Sequence, residues 1–127
     1  AVAPEAASSF LFPRQIGRQN ATWVLLSSEW ISAAEAHEMG LAWKLAEPDR
    51  LLAEAGRHAT HLATMPISSL VACKQAIVEP LRPQMAAARE RENQAFIDLM
   101  GGPANSEALA AFAEGRAADF TNLPPGW

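Results

Sequence analysis

Apolar positions recur at helical rather than strand spacing along most of this chain. Leu51, Leu52, Ala55, Ala59, Leu62 and Ala63 line one helical face and predict a helix over 49–64, started by Glu47-Pro48-Asp49. Ahead of it, Ser8 and Ser9 offer N-cap oxygens to a short helix built on Phe10, Leu11 and Phe12, which Gly17 stops. Asn20 can cap a next element holding Trp23, Val24, Leu25 and Leu26. That run is too short and apolar for pattern alone to separate helix from strand. Ser27-Ser28-Glu29-Trp30 reads as a turn. Ser32-Ala33-Ala34-Glu35 is a capping box opening a short helix, with Gly40 at the position just past its end. Residues 41–45 alternate in part and read as a short strand.

The second half is helical too. Met65-Pro66 breaks the chain, and Ser68 or Ser69 caps a helix bearing Leu70, Val71, Cys73, Lys74, Ile77 and Val78. Pro80 and Pro83 interrupt that pattern. Residues 84–100 form the longest helical stretch. Its apolar stripe is Met85, Ala88, Phe96, Leu99 and Met100, broken by Glu92. Its polar stripe, Arg89, Glu90, Arg91, Glu92 and Asn93, suits a solvated face. Gly101-Gly102-Pro103 ends it. Asn105 or Ser106 starts a last helix with Leu109, Phe112 and Ala113 inward, and residues 121–127 form a tail.

Composition sharpens this. The 127 residues suit one domain, and no second domain or internal repeat is evident. The chain holds 27 Ala against 35 Val, Ile, Leu, Met, Phe and Trp. Alanine forms helices well and fills cores poorly, so helix interfaces should be thin and suited to cover by a second body. A net charge of −4 gives no electrostatic case for nucleic acid or an anionic membrane. No run of about 18 apolar residues suggests a membrane span, and no signal peptide is evident, so cytoplasm is the default. The single Cys73, on an apolar helical run, reads as a buried structural thiol. His58 and His61 lie three apart, but no third ligand has matching spacing, so they read as surface or rim histidines and no metal is expected. His37 stands alone.

The candidate chemistry lies at the N-terminus. Glu5 follows Pro4 and precedes a helix start rich in apolar side chains. There, partial desolvation would raise its pKa and make it a usable proton carrier. A solvated turn residue is the other reading. The next acidic residue in sequence is Glu29.

The run Pro4-Glu5-Ala6-Ala7-Ser8-Ser9, then Pro13-Arg14 and Ile16-Gly17, resembles the crotonase (enoyl-CoA hydratase/isomerase) superfamily. It looks most like the delta-3,delta-2-enoyl-CoA isomerase branch, which carries Pro-Glu-Gly-x-Ser-Ser here. Leu25-Leu26 through Ile31-Ser32-Ala33-Ala34-Glu35-Ala36 and Met39-Gly40-Leu41-Ala42, Pro66 through Lys74, and Ser106-Glu107 through Gly115-Arg116 resemble later family segments in the same order. The resemblance covers residues 1–120. It implies a mainly α chain, the C-terminal helical part of a crotonase-like α+β spiral fold, with at most one short strand. It also implies a helix for residues 20–26. The family's β-rich N-terminal half, which carries both oxyanion-hole N–H groups and most of the acyl-CoA pocket, is absent. The chain is therefore expected to be a C-terminal fragment, inactive alone.

By that resemblance Glu5 is the single general acid/base of an enoyl-CoA isomerase, moving a proton on an acyl-CoA thioester. Hydratases of the family usually have Gly at this place and use two acidic residues, so hydratase is the alternative. A non-catalytic helical oligomerisation module is another, and an unrelated helical adaptor a third. Phe96 matches an aromatic that packs against the adenine of CoA, against a competing reading as plain core. The family's basic CoA contact falls at Gly115, with Arg116 one residue away as a weak substitute. The resemblance further implies acyl-CoA as substrate with no resident cofactor, and a homo-oligomer, a trimer or dimer of trimers.

Overall fold

The computed structural model describes residues 1–126, and among them there are helices and no strand. The helices are α1 Ser8–Gln15, α2 Arg18–Ser27, α3 Ala33–Glu38, α4 Leu51–Ala63, α5 Ile67–Val78, α6 Arg82–Leu99 and α7 Pro103–Glu114, with a 3-10 turn at Glu79–Leu81. The mainly helical class read from the sequence is therefore found. The chain packs as two compact units, one of Ala1–Ser9 with the chain from Ala86 onward, the other of Phe10–Met85.

Glycines punctuate the elements, at Gly17 and Gly40 as expected and at Gly115 as well. Gly17 (φ 79°) separates α1 from α2, Gly40 (φ 86°) follows α3, and Gly115 (φ 67°) closes α7. The capping box forms as read. The Ser32 amide donates to Glu35 Oε2 at 2.7 Å, and the Glu35 amide donates to Ser32 Oγ at 3.2 Å. The ambiguous Trp23–Leu26 run is helical.

Residues 41–45 form no strand. The amides of Leu41 and Ala42 both donate to the carbonyl of Ala36, at 2.8 and 2.9 Å, so they are taken up in closing α3. Three expected caps also differ. Asn20 lies inside α2, its side-chain Nδ2 donating to Ile16 O at 2.9 Å, while Gly17 stands at the cap. Ser68 and Ser69 fall in the first turn of α5, which follows directly on the extended Pro66. The last helix starts at Pro103 rather than Asn105 or Ser106, because a proline at the first helical position has no N–H to leave unsatisfied. Pro83 sits in the first turn of α6 for the same reason, so the chain passes from α5 through the 3-10 turn into α6 without leaving helical geometry.

The buried apolar residues are Ala7, Ile16, Ala21, Ala88 and Ala111, and among the described residues no large side chain is fully buried. That is the thin packing an alanine-rich chain produces. Several helices show the side chains expected inside. Leu51, Leu52 and Leu62 of α4 are exposed, while Glu54 and His58 are half-buried. His58 meets the Trp43 ring edge-on at 4.9 Å. In α7, Leu109 and Phe112 are exposed, and Asn105 and Ala111 are buried instead. The Asn105 side chain accepts the Gly101 amide at 2.9 Å, which turns its face of the helix inward. Cys73 is exposed, not a buried thiol. Its helix is apolar on several sides, and of Leu70, Val71, Ile77 and Val78 only Leu70 and Val78 are partly covered. Among the described residues no helix is long and apolar enough to cross a membrane.

Candidate active site

The loop carrying Glu5 is held in an uncommon conformation. Ala6 (φ 59°) and Ala7 (φ 62°) are both left-handed, a region that costs an L-residue about 1–2 kcal/mol. The Glu5 carbonyl accepts the Ser8 amide at 3.0 Å, which tightens the turn into α1.

What stabilises that loop comes from α6. The Glu92 carboxylate accepts the Ala7 amide on Oε2 at 2.7 Å. On Oε1 it accepts the Ser9 amide at 2.9 Å and the Ser9 hydroxyl at 2.5 Å. Glu92 is 5% exposed. Burial pushes its pKa up, but the hydrogen bonds from Ser9 and Ala7 outweigh that and leave it below the usual carboxylate range. A buried anion thus faces the N-terminal N–H groups of α1, where the helix dipole also favours negative charge.

Two expectations are corrected here. Glu92 does not belong to a solvated polar stripe. It follows Ala88 by four residues and precedes Phe96 by four, so it shares the covered face with the fully buried Ala88 and the half-buried Phe96. The serines do not supply the cap either. The Ser9 hydroxyl donates, and a side chain 85 positions from Ala7 takes the free amides. The signal was present in the sequence as a carboxylate interrupting an apolar stripe, since such a residue must find donors when its face is covered.

Glu5 itself is exposed among the described residues, so the partial desolvation expected of its carboxylate is not found. Of Phe10, Leu11 and Phe12, the side chains expected to supply it, Phe10 is engaged elsewhere. The Arg14 guanidinium lies 3.5 Å from the centre of the Phe10 ring, and Arg14 Nη1 donates to the Phe10 carbonyl at 3.0 Å.

Phe96 and Arg116 fall in the same compact unit as Glu5, on separate elements. Phe96 is half-buried on α6 beside the exposed Ile97. Arg116 follows α7 and is tethered. Its Nη1 and Nη2 donate to the two Glu107 oxygens at 2.5 and 3.1 Å, its Nε donates to Glu114 at 2.6 Å, and Nη1 also reaches the Ala117 carbonyl at 3.1 Å. Glu107 further accepts the Asp119 amide at 2.8 Å. The Arg116 hydrogen bond, followed by that of the Asp119 amide, holds the Glu107 carboxyl down to about 2, and the same pairing raises Arg116. A phosphate reaching this guanidinium would have to displace two carboxylates.

His58, half-buried against Trp43, has its pKa lowered by burial first and then by Arg57 and Lys44. His61 is exposed, and His37 Nδ1 lies 3.0 Å from the Ala42 carbonyl. Among the described residues no three His, Cys, Asp or Glu side chains cluster at metal-binding range.

A family model described as enoyl-CoA hydratase/isomerase matches residues 2–123. The chain belongs to that family. It is 30% identical over 119 residues to a probable enoyl-CoA hydratase of Rhizobium meliloti (strain 1021), covering 94% of this chain and 46% of the relative. To the 1,2-epoxyphenylacetyl-CoA isomerase of Escherichia coli (strain K12) it is 32% identical, covering 93% and 45%. Among solved structures, the enoyl-CoA hydratase/isomerase from Pseudoalteromonas atlantica T6c aligns with a TM-score of 0.86 at 32% identity, over 94% of this chain and 48% of that one. The chain therefore spans about half the length of the relatives it matches. They include a hydratase and an isomerase, so membership is shown at the level of the family.

Proposed function

We propose that residues 1–120 are the C-terminal helical region of an acyl-CoA enzyme of this family, with residues 121–127 as a tail, of which Trp127 lies outside the described residues. Glu5 is its general acid/base and moves a proton on an enoyl-CoA thioester. The observation that supports this is the placement of Glu5 in a turn of two left-handed alanines directly ahead of α1, with Ala7 and Ser9 tied to the buried Glu92. A carboxylate on a fixed backbone and open on its outer side can reach a substrate bound against it. The exposure of Glu5 in this chain fits a group whose desolvation comes from the acyl-CoA pocket of the other half. That half also supplies the N–H pair that stabilises the enolate.

Isomerase is favoured over hydratase, because a single carboxylate can take and return the same proton, and Glu5 is the acidic residue in the motif. Phe96 is assigned the adenine contact, since part of its ring remains accessible. Arg116 contributes to CoA binding only by exchanging Glu107 and Glu114 for a phosphate.

A second reading has its own support. Leu26, Leu52, Ile67, Ile77 and Phe112 are all more than two-thirds exposed, which suits a helical association module and a homo-oligomer, a trimer or dimer of trimers.

Glu5→Gln in the full-length enzyme decides the first reading. Turnover of a 3-enoyl-CoA is expected to fall roughly 100- to 10,000-fold with substrate binding kept. Near-normal turnover would leave Glu5 a turn residue.

A further inference from the structure

We propose that Glu92 is a positioning residue for Glu5: its buried carboxylate clamps the Ala7 amide and both donors of Ser9, and so fixes the backbone on which Glu5 is carried. This rests on the reading of Glu5 as the acid/base.

The geometry carries it. Glu92 uses both oxygens, one for Ala7 N and the other for Ser9 N and Ser9 Oγ. These donors flank the start of α1, and Ala7 immediately follows the left-handed Ala6 that succeeds Glu5. Two consecutive left-handed alanines are not a conformation a free loop would hold. The clamp supplies the acceptors that make it the favoured one. Glu92 sits on α6, next to Ala88 on a face that is fully covered there, so the clamp is anchored to a helix and not to another loop. The hydrogen bonds of the Glu92 carboxylate go to Ala7 and Ser9 and none to Glu5, so its effect reaches the acid/base through the backbone.

The test has two arms. In the 127-residue chain, the amide resonances of Ala7 and Ser9 are followed by NMR in the unsubstituted protein, Glu92→Gln and Glu5→Gln. Glu92→Gln should shift both amides and shorten their hydrogen-exchange protection, while Glu5→Gln leaves them in place. In the full-length enzyme, Glu92→Gln is expected to lower kcat about 10- to 100-fold, as small misplacements of a reacting group do, with KM nearly unchanged. Ser9→Ala keeps both amide bonds and should lower kcat only a few-fold. If Glu92→Gln does not fold, Glu92→Asp, which draws the carboxylate back by one methylene, takes its place in both arms.

Unchanged Ala7 and Ser9 amides in Glu92→Gln would overturn the clamp. Normal kcat in Glu92→Gln, with Glu5→Gln inactive, would overturn the positioning role and leave the Glu5 reading standing. Normal turnover in Glu5→Gln would overturn that reading, and the positioning role with it. If Glu92→Gln does not fold, a Glu92→Asp enzyme with normal kcat and unshifted Ala7 and Ser9 amides would overturn the proposal.

Discussion

In the unit of Ala1–Ser9 with the chain from Ala86 onward, two polar side chains, Glu92 and Asn105, are buried, and each accepts backbone N–H groups from residues outside its own helix or at its edge. In the unit of Phe10–Met85 the ion pairs lie at the surface, Arg50 and Arg57 with Glu54 and Arg82 with Glu79, all between residues three or four apart. Its buried residues are Ile16 and Ala21, and its helices show Trp23, Leu26, Leu52, Ile67 and Ile77 to solvent. The first unit holds one polar clamp that joins residues more than 80 positions apart, at Glu92, whereas the ion pairs of the second join residues three or four apart. Buried hydrogen bonds fix a backbone because an unmade one is expensive, whereas exposed pairs are worth little. The candidate acid/base sits in the clamped unit, as proton transfer requires of a group held in place.

The largest effect that would break this comparison is loss of the clamp. Glu92→Ala leaves the buried Ala7 amide without a partner and is expected to destabilise the first unit by about 1–3 kcal/mol. Urea unfolding followed at resonances of α6 and α7 measures it. A loss as small as that of an exposed substitution would mean that the polar contrast between the units is not energetic.

A smaller effect separates the units by pH. The Glu107 carboxyl is held at about 2 against an ordinary 4.5. Its folded pKa is depressed, so its contribution is present above 4.5 and lost as pH falls towards 2. In the other unit His58 lies below its ordinary 6.5, so its contribution is present above 6.5 and lost as pH falls through the lowered value. Acid titration by NMR should show His58 neighbours responding first and the α7 end later, with Glu107→Gln removing the later step. A single transition shared by both sets would contradict the division.

The smallest effect is expected on the open faces. Trp30 is fully exposed, and Trp30→Ser should change unfolding free energy by less than about 0.5 kcal/mol. A larger loss by thermal denaturation would show that the apolar surface is covered within the chain's own solution state.

What the sequence determined by itself is local. The Ser32/Glu35 capping box, the glycine stops at 17 and 40, and the helical character of the long stretch through residues 84–99 all follow from residues within one or two turns of each other. The position of Glu5 in a turn before a helix start was legible for the same reason. The tertiary structure alone decided which face of each helix is covered. Apolar spacing pointed to Leu109 and Phe112, yet Asn105 and Ala111 are inside. It pointed to a buried Cys73, which is exposed. Alanine-rich helices offer little contrast between faces, so spacing does not choose among them. The clamp on the Glu5 loop joins residues more than 80 positions apart. No pattern along the chain brings such partners together; packing does, and it converts a carboxylate that looked solvated into the residue on which the loop depends.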